Sequence, residues 1–303
     1  MSWIVIALAS AAVSGGVSIV DKVFLQNYAR SHVTLWLLIA ILQGTVGIVF
    51  VAAFAWSGSI ASTDTLWALL SGVIFGFGGL FLLYVLNSQE VSRAVPVTQT
   101  APIFAAIIAY FFLAEALTAS QWLAVVVTVV GAVLLSMRRD VEYRRLFLHP
   151  SFFLLMAASV IFAVGQVIGK VSLDTLSVPL VHGLRSLGLS AVFLAASLSN
   201  RDAQHDLMRL IRSRSPGLAL VTFSELVLVT VAFLLFLWAL SKGSVGLVSA
   251  LAATRSLFIL VYSTLLSLRF RGLLGERVIP SVLAIKLASI ILIVAGVTAI
   301  TMA

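Results

Sequence analysis

Ile19-Val20-Asp21-Lys22-Val23-Phe24-Leu25 ends the first apolar run of this chain, and Val167-Ile168-Gly169-Lys170-Val171-Ser172-Leu173 ends the sixth. A lysine closes both. Thr100-Ala101-Pro102-Ile103-Phe104 lies in the fourth run, and Thr254-Arg255-Ser256-Leu257-Phe258 in the ninth. Glu115 follows the fourth run and Gly275-Glu276-Arg277 the ninth; Gly131 and Gly296 stand in the last run of each half. Each match is short, but their shared order along the chain argues for a repeat.

Working outward, apolar runs fall at about 3–20, 33–56, 66–86, 95–114, 119–136, 152–170, 179–198, 216–240, 246–266 and 280–301. About 20 apolar residues cross a bilayer as a helix, and helices of this kind satisfy their own backbone there. Of the 303 residues 61% are hydrophobic and 10% charged, with mean hydropathy +1.17. A soluble domain carries about 25% charged residues, and a disordered chain carries little hydrophobicity; both classes are excluded. The reading is an all-α polytopic membrane protein, ten transmembrane helices as two inverted five-helix repeats: residues 1–138, a charged linker 139–150, and residues 151–303. An odd number of helices per repeat turns the halves over relative to one another, with a substrate site expected near the midplane between them. Met1-Ser2-Trp3 lacks the basic stretch of a cleaved signal peptide, so the first helix is expected to be retained.

Nineteen Lys and Arg against eleven Asp and Glu give a net charge of +8. In a soluble protein that would suggest nucleic acid; here it reads as cytoplasmic loop charge, with no nucleic-acid partner. Fourteen basic residues follow odd-numbered runs: Lys22 and Arg30; Arg93; Arg138, Arg139, Arg144 and Arg145; Arg201, Arg209, Arg212 and Arg214; Arg269, Arg271 and Arg277. Only Lys242 and the helix-end Lys170 follow even ones. The bias puts both termini outside the cytoplasm, in an integral protein of a prokaryotic inner membrane. There is no cysteine, hence no disulfide or thiolate chemistry. No phosphate-loop or HExxH motif is present, so no cofactor, metal or enzymatic role is expected, and transport should need no nucleotide hydrolysis by this chain.

Five plus five helices, a Lys closing the first of each half, a Pro-containing fourth and an acidic residue before the fifth resemble the drug/metabolite transporter superfamily, EamA type. The resemblance covers nearly the whole chain and implies export of amino acids or other metabolites. The second half departs from it: Ser256 stands at the Pro position and Arg255 replaces Ala101.

Ionisable groups at membrane depth usually face a cavity or a partner. Arg185, Glu225, Arg255 and Lys286 stand out, all in the second half; the first half shows no comparable charge within its runs and offers an aromatic wall with Phe75, Phe77, Phe81 and Tyr84. Arg255, roughly 13 Å into its run, is read as a substrate anion ligand or as the ion-pair partner of Glu225. Glu225 is that partner or a proton carrier. Lys286 and Arg185 are read as binding residues or as side chains snorkelling to the interface. Pro102 should open the fourth helix beside Thr98, Gln99 and Thr100, as a gate element or a packing kink. Expected substrate contacts are Arg255, Glu225, Thr98, Thr100, Thr254, Tyr84 and Lys286; Lys22, Lys170 and Pro102 are gating or helix-end residues. The function expected is secondary transport by alternating access of a small polar metabolite, anionic or zwitterionic, with proton or counter-substrate coupling left open. The alternative is a translocase for a lipid-linked anion such as a polyprenyl-phosphate carrier.

Overall fold

The computed structural model describes residues 2–28, 31–55, 63–88, 98–136, 150–269 and 280–302. The linker 139–149 and Glu276 lie outside them, as do the side chains of Lys22 and Lys286. Among the described residues every regular element is helical. The helices are α1 (Trp3–Asn27), α2 (His32–Phe54), α3 (Thr63–Ser88), α4 (Ala101–Leu113), α5 (Ala119–Ser136), α6 (Pro150–Ser172), α7 (Val178–Ser197), α8 (Arg201–Arg212), α9 (Pro216–Lys242), α10 (Val245–Ala253), α11 (Arg255–Arg269) and α12 (Pro280–Met302). Seven segments are long and apolar enough to cross a membrane, and α10 with α11 counts as one of them; Ala101–Leu113, Ala119–Leu134 and Leu287–Ile300 are shorter apolar stretches. Ten runs were expected, and each contains a helix. The fourth falls short because its described helix starts at Ala101, not near residue 95.

Large apolar side chains such as Phe111, Phe112, Leu66 and Ile291 point outward, each well over half exposed. Contiguous apolar surface of this kind is disfavoured in water and suits lipid; the protein is an integral membrane protein.

Packing runs mostly between the chain's halves. α2 lies along α7, α5 along α12, and α4 against α10; α3 packs on α6 and α7, and α1 on α9, α10 and α11. Small residues permit the close crossings. A Cβ at Gly72 would come 2.1 Å from the Arg185 carbonyl oxygen, and one at Gly188 2.3 Å from that of Leu69. Gly131 faces Ile293 on α12 while Gly296 faces Thr128 on α5, so the aligned glycines pack reciprocally. The main core, with Leu180, Leu237, Leu240, Val248 and Leu251, sits among α4, α6, α7, α9 and α10. A second cluster, Phe24, Leu35, Leu38, Leu210 and Val221, seats α8 at the other end. α8 is amphipathic and was not expected. Asn200 caps it by accepting from the Ala203 amide at 2.9 Å, and the Thr34 hydroxyl of α2 donates to buried Asp206 at 2.9 Å.

Candidate functional site

The ninth run breaks at Thr254, and the aligned Thr100 stands at the described start of α4. Thr100 (φ −80°, ψ −10°) precedes α4, and Thr254 (φ −64°, ψ −9°) separates α10 from α11. Pro102 therefore occupies the first turn of α4, where its missing N–H costs nothing, and not a helix interior as expected. These two points meet. Gln99 Nε2 donates to the Ala253 carbonyl at 3.5 Å and to the Ser256 hydroxyl. Thr98, Gln99, Thr254 and Ser256 are all buried. Thr254 Oγ1 donates to the Leu251 carbonyl at 2.6 Å, which also accepts the Thr254 amide at 3.1 Å. Arg255 is the first residue of α11 and is half-buried.

Glu225 does not pair with Arg255; among the described residues Arg255 makes no ion pair. The reason is local. Residues Ser224–Val229 of α9 form a π-helical segment, a wider turn that re-aims side chains and often marks functional sites. It presents buried Glu225 to α2, where Gln43 Nε2 donates to Oε2 at 3.0 Å and to the Glu225 carbonyl at 3.3 Å. Ser186 of α7 donates to Gln43 Oε1 at 3.2 Å. An acid in electrostatic reach of Glu225 is Asp21, whose Oδ1 is buried and without a hydrogen-bond partner among the described residues. The sequence reading ended the first span at residue 20 and so missed Asp21; α1 continues to Asn27, and the first half does carry a buried charge.

Arg185 does not snorkel. It is 5% exposed, and its Cζ lies over the Phe75 ring at 5.2 Å. Lys170 faces no headgroup. Its ammonium donates to the carbonyls of Leu240 and Gly243, the latter at 2.9 Å, at the C-terminus of α9, where a cation is favoured. It lies 3.9 Å from Glu115. Ala114 ends α4 in the left-handed region at φ 53°; next to it Glu115 accepts the Val245 amide at 2.7 Å, filling an orphan donor of α10. One cluster thus joins the ends of α4, α6 and α9 with the start of α10. Tyr84 is 62% exposed on α3. Hollows line α8 and the start of α9, through residues such as His205, Arg212 and Leu218.

Residues 1–137 match the EamA-like transporter family. An uncharacterized protein of Methanocaldococcus jannaschii, MJ1333.1, is 33% identical over 70 residues, 23% of this chain and 51% of that protein; the chain spans about half the length of this curated relative. One solved crystal structure superposes with a TM-score of 0.68 at 18% identity, covering 98% of this chain and 96% of the other; the likeness is one of fold.

Proposed function

We propose that this chain is a member of the drug/metabolite transporter superfamily, as the match of residues 1–137 to the EamA-like transporter family supports, and that it moves a small polar metabolite, anionic or zwitterionic, across the membrane by alternating access. The observation that carries the reading is the meeting of the Thr254 break with the start of α4 at Thr100, joined by Gln99. Discontinuous helices at the repeat interface are where secondary transporters bind, their half-helix N-termini directed at anionic groups. α4 and α11 begin here, and Arg255 adds a fixed positive fork. Support for two inverted five-helix halves comes from the pairing of corresponding helices, α2 with α7, α4 with α10 and α5 with α12, and from the reciprocal glycines of α5 and α12.

In this reading Thr98, Thr100, Thr254 and Arg255 touch the substrate, and Glu225 with Gln43 forms a polar station beside it that carries a coupling proton. The Lys170–Glu115 cluster closes one end, and Lys22 is its counterpart at the other. A thermal-shift screen over amino acids, sugar phosphates and nucleotides identifies the substrate, since a binder of the native state raises the melting temperature. Proteoliposomes then move it down its gradient without ATP, and Arg255→Ala weakens binding. A folded Arg255→Ala variant with unchanged substrate affinity refutes the anion role; strict ATP dependence refutes secondary transport.

A further inference from the structure

A second buried guanidinium, on α7, is left over. Both terminal nitrogens of Arg185 are buried without a hydrogen-bond partner among the described residues. One turn earlier His182, 2% exposed, holds an unpartnered Nε2. The two share one aromatic-walled interior. The His182 ring meets Phe50 edge-on at 5.1 Å and stacks on Phe233 at 6.3 Å. Phe233 meets Phe75 edge-on at 5.7 Å, and Phe75 carries the guanidinium on its face. These walls come from α2, α3 and α9, so both halves of the chain build them. On the α6 side Gly169 makes room: a Cβ there would sit 2.6 Å from Arg185 Nη1. The nearby Ser71 hydroxyl is engaged elsewhere, donating to the Gly165 carbonyl at 2.7 Å.

A ring face attracts a cation but gives its N–H donors no lone pair. A buried charge of this kind is normally paired or coordinated. Among the described residues no acceptor serves it. We propose that Arg185, assisted by His182, is a subsite for the carboxylate of the substrate. The flat guanidinium fork matches a planar carboxylate in a bidentate way, and the phenylalanine walls suit an apolar body next to it. The inference rests on the anionic-substrate reading above and adds a second anion contact, apart from Arg255.

Benzoate and inorganic phosphate serve as probes at matched ionic strength, read by the melting temperature of the purified full chain in lipid nanodiscs. Benzoate is expected to raise it. The rise should vanish in Arg185→Met, and Arg185→Lys should bind about tenfold more weakly, because an ammonium cannot reproduce the fork. Melting without probe shows whether each variant folds. If Arg185→Met does not fold, the comparison rests on Arg185→Lys, and benzoate affinity there equal to wild type overturns the proposal. So does a folded Arg185→Met that keeps the benzoate response, a wild type that lacks one, or a response to phosphate alone. Flux in liposomes tests the transport reading separately: benzoate binding that depends on Arg185 in a protein without flux sinks that reading and leaves the subsite standing.

Discussion

Replacing Lys170 by Met tests whether the cluster at the end of α6 is a gate. The lost ammonium serves the carbonyls of Leu240 and Gly243 and sits 3.9 Å from Glu115. A hydrogen bond from a charged donor contributes about 1.5–3 kcal/mol. The ion pair adds less than about 1 kcal/mol, because both side chains keep 17–18% of their exposure and the separation is long. Opening this end hydrates the same groups and returns part of that energy, leaving about 2 kcal/mol in favour of the closed form. At about 1.4 kcal/mol per decade the population open at this end rises roughly thirty-fold. Ser249 reports it. It is 2% exposed, one turn inside Val245, and donates to Gln166. The chain has no cysteine, so Ser249→Cys supplies a single thiol for a membrane-impermeant reagent. Labelling of Ser249→Cys should be slow, and it should quicken by one to two decades when Lys170→Met is added. An unchanged labelling rate in a folded double variant refutes the gate and leaves Lys170 as a helix cap.

Three further outcomes are expected. Gly72→Ala puts a Cβ 2.1 Å from the Arg185 carbonyl oxygen, so α3 and α7 must separate; a loss on the order of 2 kcal/mol should appear as a lower melting temperature, and a neutral variant would contradict the described crossing. Glu225→Gln keeps the shape that meets Gln43 and removes the proton-binding carboxylate; substrate exchange should persist while accumulation driven by a pH gradient is lost, and intact gradient-driven accumulation removes Glu225 from coupling. Asp206→Asn weakens the acceptor of Thr34 and of Arg209 Nε, each at 2.9 Å; with the Arg209 side chain 39% exposed the cost is about 1 kcal/mol, read as faster amide exchange in α8, and unaltered exchange would show α8 held by its apolar face alone.

Helix positions were legible because each helix is hydrophobic over a bilayer's thickness, and that signal survives without any partner. Other features depend on contacts that hydropathy does not encode. The α8 segment reads as a charged loop, yet Ala203, Asp206 and Leu210 recur at helical spacing and share its buried face; a search for amphipathic periodicity would have found it. The partner of Glu225 was sought among cations. The signal that points to Gln43 is a neutral amide inside an apolar run, which is costly there unless bonded. Asp21 was lost because a charged residue was taken to end a helix, whereas α1 continues past it with Val23, Phe24 and Leu25. The π segment at Ser224–Val229 has no sequence signature, and it is what turns Glu225 toward α2.

The departure of the second half from the first, Arg255 where Ala101 stands, gains a physical reading from the breaks. Both residues open a half-helix, and an N-terminus already carries about half a positive charge. An arginine beside one such end and an alanine beside the other make the pair of ends unequal, which orients a bound anion toward α11. Arg185 lies elsewhere, seven residues into α7 and so roughly 10 Å from its start, nearer the end tied by Lys170 and Glu115. On the proposed reading an anion meets Arg255 at the breaks and Arg185 toward the tied end, while Glu225 and Asp21 stand nearer α8. Exchanging the two positions tests the asymmetry directly: Ala101→Arg with Arg255→Ala returns a cation to the breaks on the other half-helix. If orientation by α11 matters, the double variant folds and binds the substrate more weakly than wild type. Equal affinity would mean that the breaks respond to charge alone.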